Sequence, residues 1–187
     1  MITWTRIAVR CNPVNLDRDS LYLVTRYAAS PFGPSDVFNW SLYHVDSSGA
    51  ITTHEWREMT LALGRTETYV CNEIKHTSTS TRRDTTIGYF KLNGYAAPSG
   101  LALTEFKQMC DGIFKPTYLT KEANRRHGVS SDAWLEGVLD ELKKRRRLVG
   151  SPSDIIATAI QISGGKTAQY LQCYTTDATF SPAQDVL

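Results

Sequence analysis

The chain has 187 residues, of which 41% are hydrophobic and 21% are charged, and its formal net charge is +2 at pH 7. This apolar share excludes wholesale disorder, and the length fits one globular domain. So small a charge gives no electrostatic case for nucleic-acid binding. The apolar runs are too short to span a membrane, and the N-terminus lacks the apolar region of a secretory leader. We therefore expect a cytoplasmic location, with no membrane or nucleic-acid partner.

The first half of the chain is rich in β-forming residues that alternate between polar and apolar, a pattern typical of strands. Strands are predicted near residues 4–9, 21–27, 38–45, 51–56, 68–75 and 87–92. Turn-forming residues predict a loop over 30–36 and a hairpin turn over 46–49. The polar stretch 76–84 is expected to be an exposed connection.

In the second half, the apolar residues recur at helical spacing. Helices are predicted over about 102–114 and 131–148. A third helix is expected to start with Ser151 as N-cap and Pro152 at its first position, and to stop at the pair Gly164 and Gly165. The chain is expected to fray from about Phe180.

Strands followed by helices indicate an α+β fold, with an antiparallel sheet of about five to six strands and about three helices packed on one face. We expect one domain over residues 1–180 and a frayed tail over 181–187.

The cysteines and histidines are dispersed along the sequence and do not have the spacing of metal ligands. Reduced thiols without a metal are therefore expected. Nucleotide-binding loops and the serine-hydrolase elbow are also missing, so no cofactor is predicted. The basic run 143–147 can bind nucleic acid or form the solvated last turn of a helix, and the acids beside it favour the second interpretation.

Three stretches, residues 35–43, 101–106 and 126–134, together resemble a family of small, largely uncharacterised fungal proteins. That family carries an Asn-His-Trp-Ser strand and a Gly-x-Gly-Cys-Arg-x-Trp helix start, and the match spans roughly residues 5–160. The resemblance implies a fold distantly similar to circularly permuted papain-like hydrolases. In those enzymes, a strand histidine activates a cysteine at a helix N-terminus.

This sequence departs from the family pattern at both decisive positions. Asn39 stands where the family has the histidine, and Ser131 stands where it has the cysteine. An asparagine cannot act as a general base, and a serine without a base is a weak nucleophile. The resemblance therefore implies the fold more strongly than the hydrolase activity.

The residues around these two positions define a candidate site. Asn39, Ser41 and Tyr43 are expected on one face of their strand. Ser131 and the free backbone N–H groups of its helix can polarise a carbonyl, while His127 can transfer a proton. We predict catalytic roles for Asn39, His127 and Ser131, and substrate contacts for Ser41, Tyr43, Trp56 and Asp132. Each of the three catalytic candidates also has an ordinary alternative, namely backbone satisfaction for Asn39, solvent exposure for His127 and helix capping for Ser131.

The leading hypothesis is a cofactor-independent enzyme that cyclises or isomerises a mostly apolar small molecule by proton transfer and carbonyl polarisation. The assignment to fungal specialised metabolism rests on the resemblance alone. One alternative is a non-catalytic ligand-binding or interaction protein on a degenerate thiol-hydrolase-like fold. A second is a hydrolase or acyltransferase with Ser131, Cys71 or Cys110 as nucleophile. The oligomeric state stays open, with a homodimer among the options.

Overall fold

A six-stranded sheet forms the centre of the protein. The structure is a computed structural model that describes residues 8–28, 38–61, 64–74, 82–96, 101–114 and 118–187. The strands are β1 (Val9–Cys11), β2 (Ser20–Tyr27), β3 (Phe38–Val45), β4 (Ile51–Leu61), β5 (Gly64–Ile74), β6 (Arg82–Asp84), β7 (Thr86–Ala96), β8 (Thr179–Phe180) and β9 (Ala183–Val186). The central sheet has the order β5-β4-β3-β2-β7-β9, and β6, β1 and β8 form a small second sheet.

Four helices accompany these strands: α1 (Leu103–Gly112), α2 (Lys121–Arg126), α3 (Ser131–Lys144) and α4 (Pro152–Thr176). Neighbouring strands of the central sheet are antiparallel, except that β9 runs parallel to β7. The predicted α+β class with a mostly antiparallel sheet is confirmed. No helix among the described residues is long and apolar enough to cross a membrane.

The strict alternation of β3 gives the sheet two chemically different faces. Trp40 and Leu42 belong to the main core together with Trp134 of α3 and Phe106 of α1. Tyr43 points the other way, into a smaller cluster formed largely by strand residues. We call the first side the helical face and the second side the outer face. Segment 12–19 crosses part of the outer face and places Val14 and Leu16 in its cluster.

Hydrogen bonds made by buried side chains tie the helices to each other and to the sheet. The indole N–H of Trp134 donates to the carbonyl oxygen of Cys110, which joins α3 to α1. The hydroxyl groups of Thr25 and Ser163 lie 2.7 Å apart and join β2 to α4. A buried polar group without a partner would be costly, so these pairs fix how the helices sit on the sheet.

Two predictions about the end of the chain are wrong. The third predicted helix does not stop at Gly164 and Gly165, since α4 continues to Thr176. Tyr170 and Cys173 are buried in the main core, and this packing outweighs the low helix propensity of glycine. Residues 183–186 do not fray but form β9, and Leu187 continues the hydrogen bonding of β9 to the backbone of β7.

Other boundaries differ by less. Helix α2 was not predicted. The helix predicted to start at Ser151 and Pro152 is therefore the fourth helix of the structure, α4. The hairpin turn after β3 is confirmed, because the backbone N–H of Gly49 donates to the carbonyl oxygen of Asp46. The predicted strand residues 4–7, the predicted loop 30–36 and residues 76–81 of the predicted connection lie outside the described residues, and β6 occupies residues 82–84.

Candidate functional site

The residues predicted to form the site are divided between the two sides of the sheet. Asn39 is exposed at the start of β3, and Ser41 and Tyr43 follow it as buried residues on the outer face. The predicted alternation is confirmed for Trp40 and Tyr43, which belong to opposite core clusters. Ser41 and Asn39 have the strand parity of Tyr43.

His127 and Ser131 lie on the helical side of the sheet, at the ends of two helices. His127 follows the last residue of α2, is exposed, and stacks on the ring of Tyr118 at a centroid distance of 4.1 Å. Ser131 is the first residue of α3, and Ser130 is the residue that caps this helix by accepting from the N–H of Ala133. The described structure therefore does not bring Asn39 into one site with His127 and Ser131.

The two remaining predicted residues also lie on the helical side. Trp56 is buried and packs edge-on against Phe114, with ring centroids 5.1 Å apart. Asp132 is exposed in the first turn of α3, where a carboxylate stabilises the positive end of the helix dipole. Ser131 lies beside it, with its hydroxyl 3.5 Å from an Asp132 carboxylate oxygen. These contacts are ordinary structural ones, and no described contact joins either Trp56 or Asp132 to Asn39.

What the outer face does bring together is a network of charged and hydroxyl side chains centred on Arg26. The guanidinium group of Arg26 donates to the hydroxyl of Tyr43 at 2.8 Å and to the carboxylate of Glu55 at 3.3 Å. Ser41 donates to the same Glu55 oxygen at 3.4 Å, and Arg57 donates to the other oxygen at 3.1 Å. We call these five residues the outer-face network.

The geometry of the strands explains why these side chains meet. Arg26 lies opposite Asn39 in the antiparallel pairing of β2 and β3. Its side chain therefore emerges on the same face as those of Ser41 and Tyr43. The β2–β7 pairing shifts register between Thr25 and Arg26, which is where the charged part of β2 begins.

The network is poorly hydrated but remains charged. The side chains of Arg26 and Glu55 are only 24% and 11% exposed. Burial alone would lower the pKa of Arg26, but the neighbouring Tyr43, Glu55 and Asp84 outweigh it and raise the pKa above its usual value. The guanidinium Nε atom of Arg26 is buried and has no hydrogen-bond partner among the described residues. Arg26 and Glu55 thus form an ion pair with low water access, and Arg57, whose side chain is 47% exposed, shares the same carboxylate from its rim.

Sequence reasoning did not find the three charged members of this network. The available indication was an arginine inside the apolar strand 21–27, at the same parity as Tyr22 and Val24 of the outer-face cluster. Glu55 and Arg57 likewise share the parity of Ile51, which belongs to that cluster. Charged residues on the buried parity of a strand need partners, and this requirement points to a network.

The helical face holds a second polar cluster, around two buried histidines. His54 and His44 both pack against the Phe106 ring, with ring centroids 4.7 and 5.4 Å away. The Nδ1 atom of His54 is 2.7 Å from the hydroxyl of Tyr69. His44 Nε2 is 3.3 Å from the carbonyl oxygen of Leu101. Within the described ranges, each of the two rings keeps one buried nitrogen without a hydrogen-bond partner.

The two cysteines proposed as alternative nucleophiles flank this cluster. Cys71 lies opposite His54 in the pairing of β4 and β5 and is half-buried. Cys110 is completely buried, and burial raises the pKa of its thiol well above the usual value. A thiol that is buried and protonated is a poor nucleophile. The described geometry therefore gives Cys110 a structural role.

An open cavity of about 400 Å³ lies between α1 and α3. Its walls include Glu105, Met109, Ile113, Glu141 and Arg145, and none of the predicted site residues. Within the described ranges, no group of three or more His, Cys, Asp or Glu residues is placed to hold a metal ion.

No family model, no curated protein and no solved structure matches this chain. The likeness to small fungal proteins and to permuted papain-like hydrolases therefore stays a prediction.

Proposed function

We propose that the protein binds a small organic molecule on the outer face of its sheet, and that Arg26 receives a carboxylate or carbonyl oxygen of this ligand. The observation that carries the proposal is the sharing of one carboxylate, that of Glu55, by Arg26 and Arg57. Guanidinium groups in a site of low water access bind oxygen anions strongly, because little hydration has to be removed.

The other members of the site fit the same role. The Tyr43 hydroxyl sits 2.8 Å from Arg26 and provides a second polar group beside it. Asn39 is exposed directly across the strand pair from Arg26 and offers an amide donor and acceptor at the rim. This assignment keeps Asn39, Ser41 and Tyr43 as ligand-binding candidates and leaves His127, Ser131, Trp56 and Asp132 outside the proposed site.

Binding is better supported than chemistry. Cyclisation or isomerisation by proton transfer requires a base near the substrate. Both carboxylate oxygens of Glu55 already accept hydrogen bonds from Arg26, Ser41 and Arg57. The enzyme proposed from the sequence therefore stays a second candidate, in which Arg26 and Tyr43 polarise a carbonyl in place of Ser131. The cytoplasmic location, the role in fungal specialised metabolism and the homodimer also stay proposals.

The test uses benzoate and benzamide, two probes of the same shape that differ in charge. Each probe is titrated into isotopically labelled protein, and the shift of the Arg26 Nε–H resonance is followed. We expect benzoate to bind at least about tenfold more tightly than benzamide, as a charge-assisted hydrogen bond predicts. Equal affinity for the two probes, or no shift with either, would overturn the proposal.

Variants separate this site from general charge effects. Arg26→Met should abolish benzoate binding, whereas the matched control Arg10→Met should not, because Arg10 pairs with Asp177 at an exposed place on β1. If Arg26→Met does not fold, Tyr43→Phe removes one hydroxyl, with Tyr27→Phe on the opposite face as its control.

Native mass spectrometry after incubation with an organic extract of the source organism tests the second candidate, the enzyme. A retained compound that returns chemically changed would support it.

A further inference from the structure

The five consecutive basic residues 143–147 span the C-terminal end of α3 and the residues just beyond it, and one of them has an unusual backbone. Arg146 has a φ of 56°, in the left-handed region. Its N–H donates to the carbonyl oxygen of Lys143, and the N–H of Arg147 donates to that of Leu142. This hydrogen-bond pattern closes many helices, and the left-handed position in it is usually a glycine, which pays no steric penalty there.

Internal ion pairs occupy only part of the run. Lys144 pairs with Glu141 at 2.8 Å, and Arg145 pairs with Glu105 of α1 at 2.9 Å. In the described part of the chain, Lys143, Arg146 and Arg147 have no ion-pair partner. Lys143 and Arg146 are exposed and Arg147 is half-buried, so three cationic side chains without an ion-pair partner among the described residues lie at one end of α3.

The helix dipole does not account for this arrangement. A dipole favours basic residues in the last turn, which explains Lys143 and Lys144. It does not explain an arginine at the position beyond the helix where glycine would be less strained. Strained residues of this kind persist where their side chain has a use.

The charges nearby restrict the ligand to a compact one. Asp140, Glu141 and Glu105 flank the three available cations, so an extended polyanion would meet these carboxylates as well. A phosphate group is small enough to contact only the cations, and guanidinium groups bind it through paired hydrogen bonds. We propose that Lys143, Arg146 and Arg147 form a binding site for a compact phosphorylated group. This site is separate from the outer-face network.

The test combines one variant with two readouts. Arg146→Gly should raise the melting temperature, since the strain disappears, and should weaken binding of inorganic pyrophosphate by about tenfold, since a charged donor is lost. Arg126→Ala removes an exposed arginine from the end of α2 and should change neither the melting temperature nor pyrophosphate binding appreciably. Titrations are made by calorimetry at constant ionic strength, with sodium sulfate as the comparison anion.

The outcomes decide the proposal. Pyrophosphate binding that Arg146→Gly weakens and Arg126→Ala does not would support it. Binding that both variants weaken equally, binding that Arg146→Gly leaves unchanged, or no preference for pyrophosphate over sulfate would each overturn it. A phosphoserine peptide and its unphosphorylated form are then titrated: a preference for the phosphorylated form identifies a protein-borne phosphate, and no preference identifies a free phosphate ester.

Discussion

The Nδ1 atom of His54 lies 2.7 Å from the hydroxyl oxygen of Tyr69, and this contact joins β4 to β5 beneath helix α1. His54 is completely buried, and the edge of the Phe106 ring packs against it. Burial lowers the pKa of His54 to about 3 and raises that of Tyr69 above its usual value. The ring is therefore neutral in the folded protein at physiological pH, although one of its nitrogens has no hydrogen-bond partner in the described part of the chain.

We expect the free energy of unfolding to decrease as the pH falls from 7 to 5. In the unfolded chain, His54 binds a proton with a pKa near the usual 6.5, whereas the folded protein holds it neutral down to about 3. Its folded pKa is lowered, so protonation favours the unfolded state, and stability is lost progressively below pH 6.5. This one histidine accounts for about 2 kcal/mol between pH 7 and pH 5. Urea denaturation at the two pH values measures the loss.

A pair of variants assigns this pH effect to the buried ring. His54→Gln keeps a polar group near Tyr69 but does not titrate. Most of the loss of unfolding free energy between pH 7 and pH 5 should therefore disappear. The part that remains comes from His44, because burial lowers its pKa as well. His127→Gln is the control, because it makes the same replacement at an exposed histidine outside this buried cluster. Equal stability of the wild type at pH 7 and pH 5 would contradict the prediction.

Replacing either Gly164 or Gly165 by alanine should stabilise the protein. Both glycines lie inside α4, and apart from the helix's own backbone and the chain neighbours, a Cβ atom at either position would meet no atom of the described residues within 4 Å. Alanine should therefore gain about 0.5–1 kcal/mol of helix propensity at each site without a steric cost. Gly137→Ala in α3 is the opposing case, because its Cβ would lie 2.8 Å from Ile113 Cγ2. Chemical denaturation measures the three variants. If Gly137→Ala were more stable than the alanine variants at Gly164 and Gly165, this account would be contradicted.

The same glycines show where prediction from the sequence succeeds and where it fails. Strand β3 was predicted over the residues it occupies, because its alternation and the turn after it agree with the final fold. Helix α4 was predicted to end at Gly164, because two glycines are locally unfavourable. The burial of Tyr170 and Cys173 depends on the sheet beneath them, and no local pattern reports it.

Only the part of the candidate site that lies on strand β3 could be predicted from the sequence, because strand periodicity determines it. Alternation places Tyr43 on the face opposite Trp40, as observed, and gives Asn39 and Ser41 the parity of Tyr43. It does not say which face the helices cover, because that depends on the tertiary packing of α1, α3 and α4 on the sheet. His127 and Ser131 were therefore grouped with residues from which the sheet separates them.

Removing residues 181–187 should destabilise the protein. Strand β9 pairs with β7, and the backbone of Leu187 exchanges hydrogen bonds with Lys91 and Asn93. Loss of several such bonds and of the buried Ala183 should cost about 2 kcal/mol or more. It also exposes β7 as a sheet edge, so the shortened chain should aggregate more readily.

Thermal unfolding and light scattering of the shortened chain measure both effects. Val186→Ser is a suitable control, since Val186 is 62% exposed and its side chain should matter little. A shortened chain with the melting temperature of the wild type would mean that the end of the chain frays, as its sequence suggested.

Glu55→Gln should affect stability and ligand binding in opposite directions. The Glu55 carboxylate is the shared partner of Arg26 and Arg57, and a neutral amide compensates their charge less well. The free energy of unfolding should fall by about 1–3 kcal/mol, because one charge-assisted hydrogen bond in a poorly hydrated place is lost. The same change removes the carboxylate that competes with an external anion for Arg26, so benzoate should bind more tightly. Glu73→Gln on the exposed part of β5 is the matched control and should change neither quantity. Weaker benzoate binding by Glu55→Gln in a folded protein would show that Glu55 assists the ligand instead of competing with it.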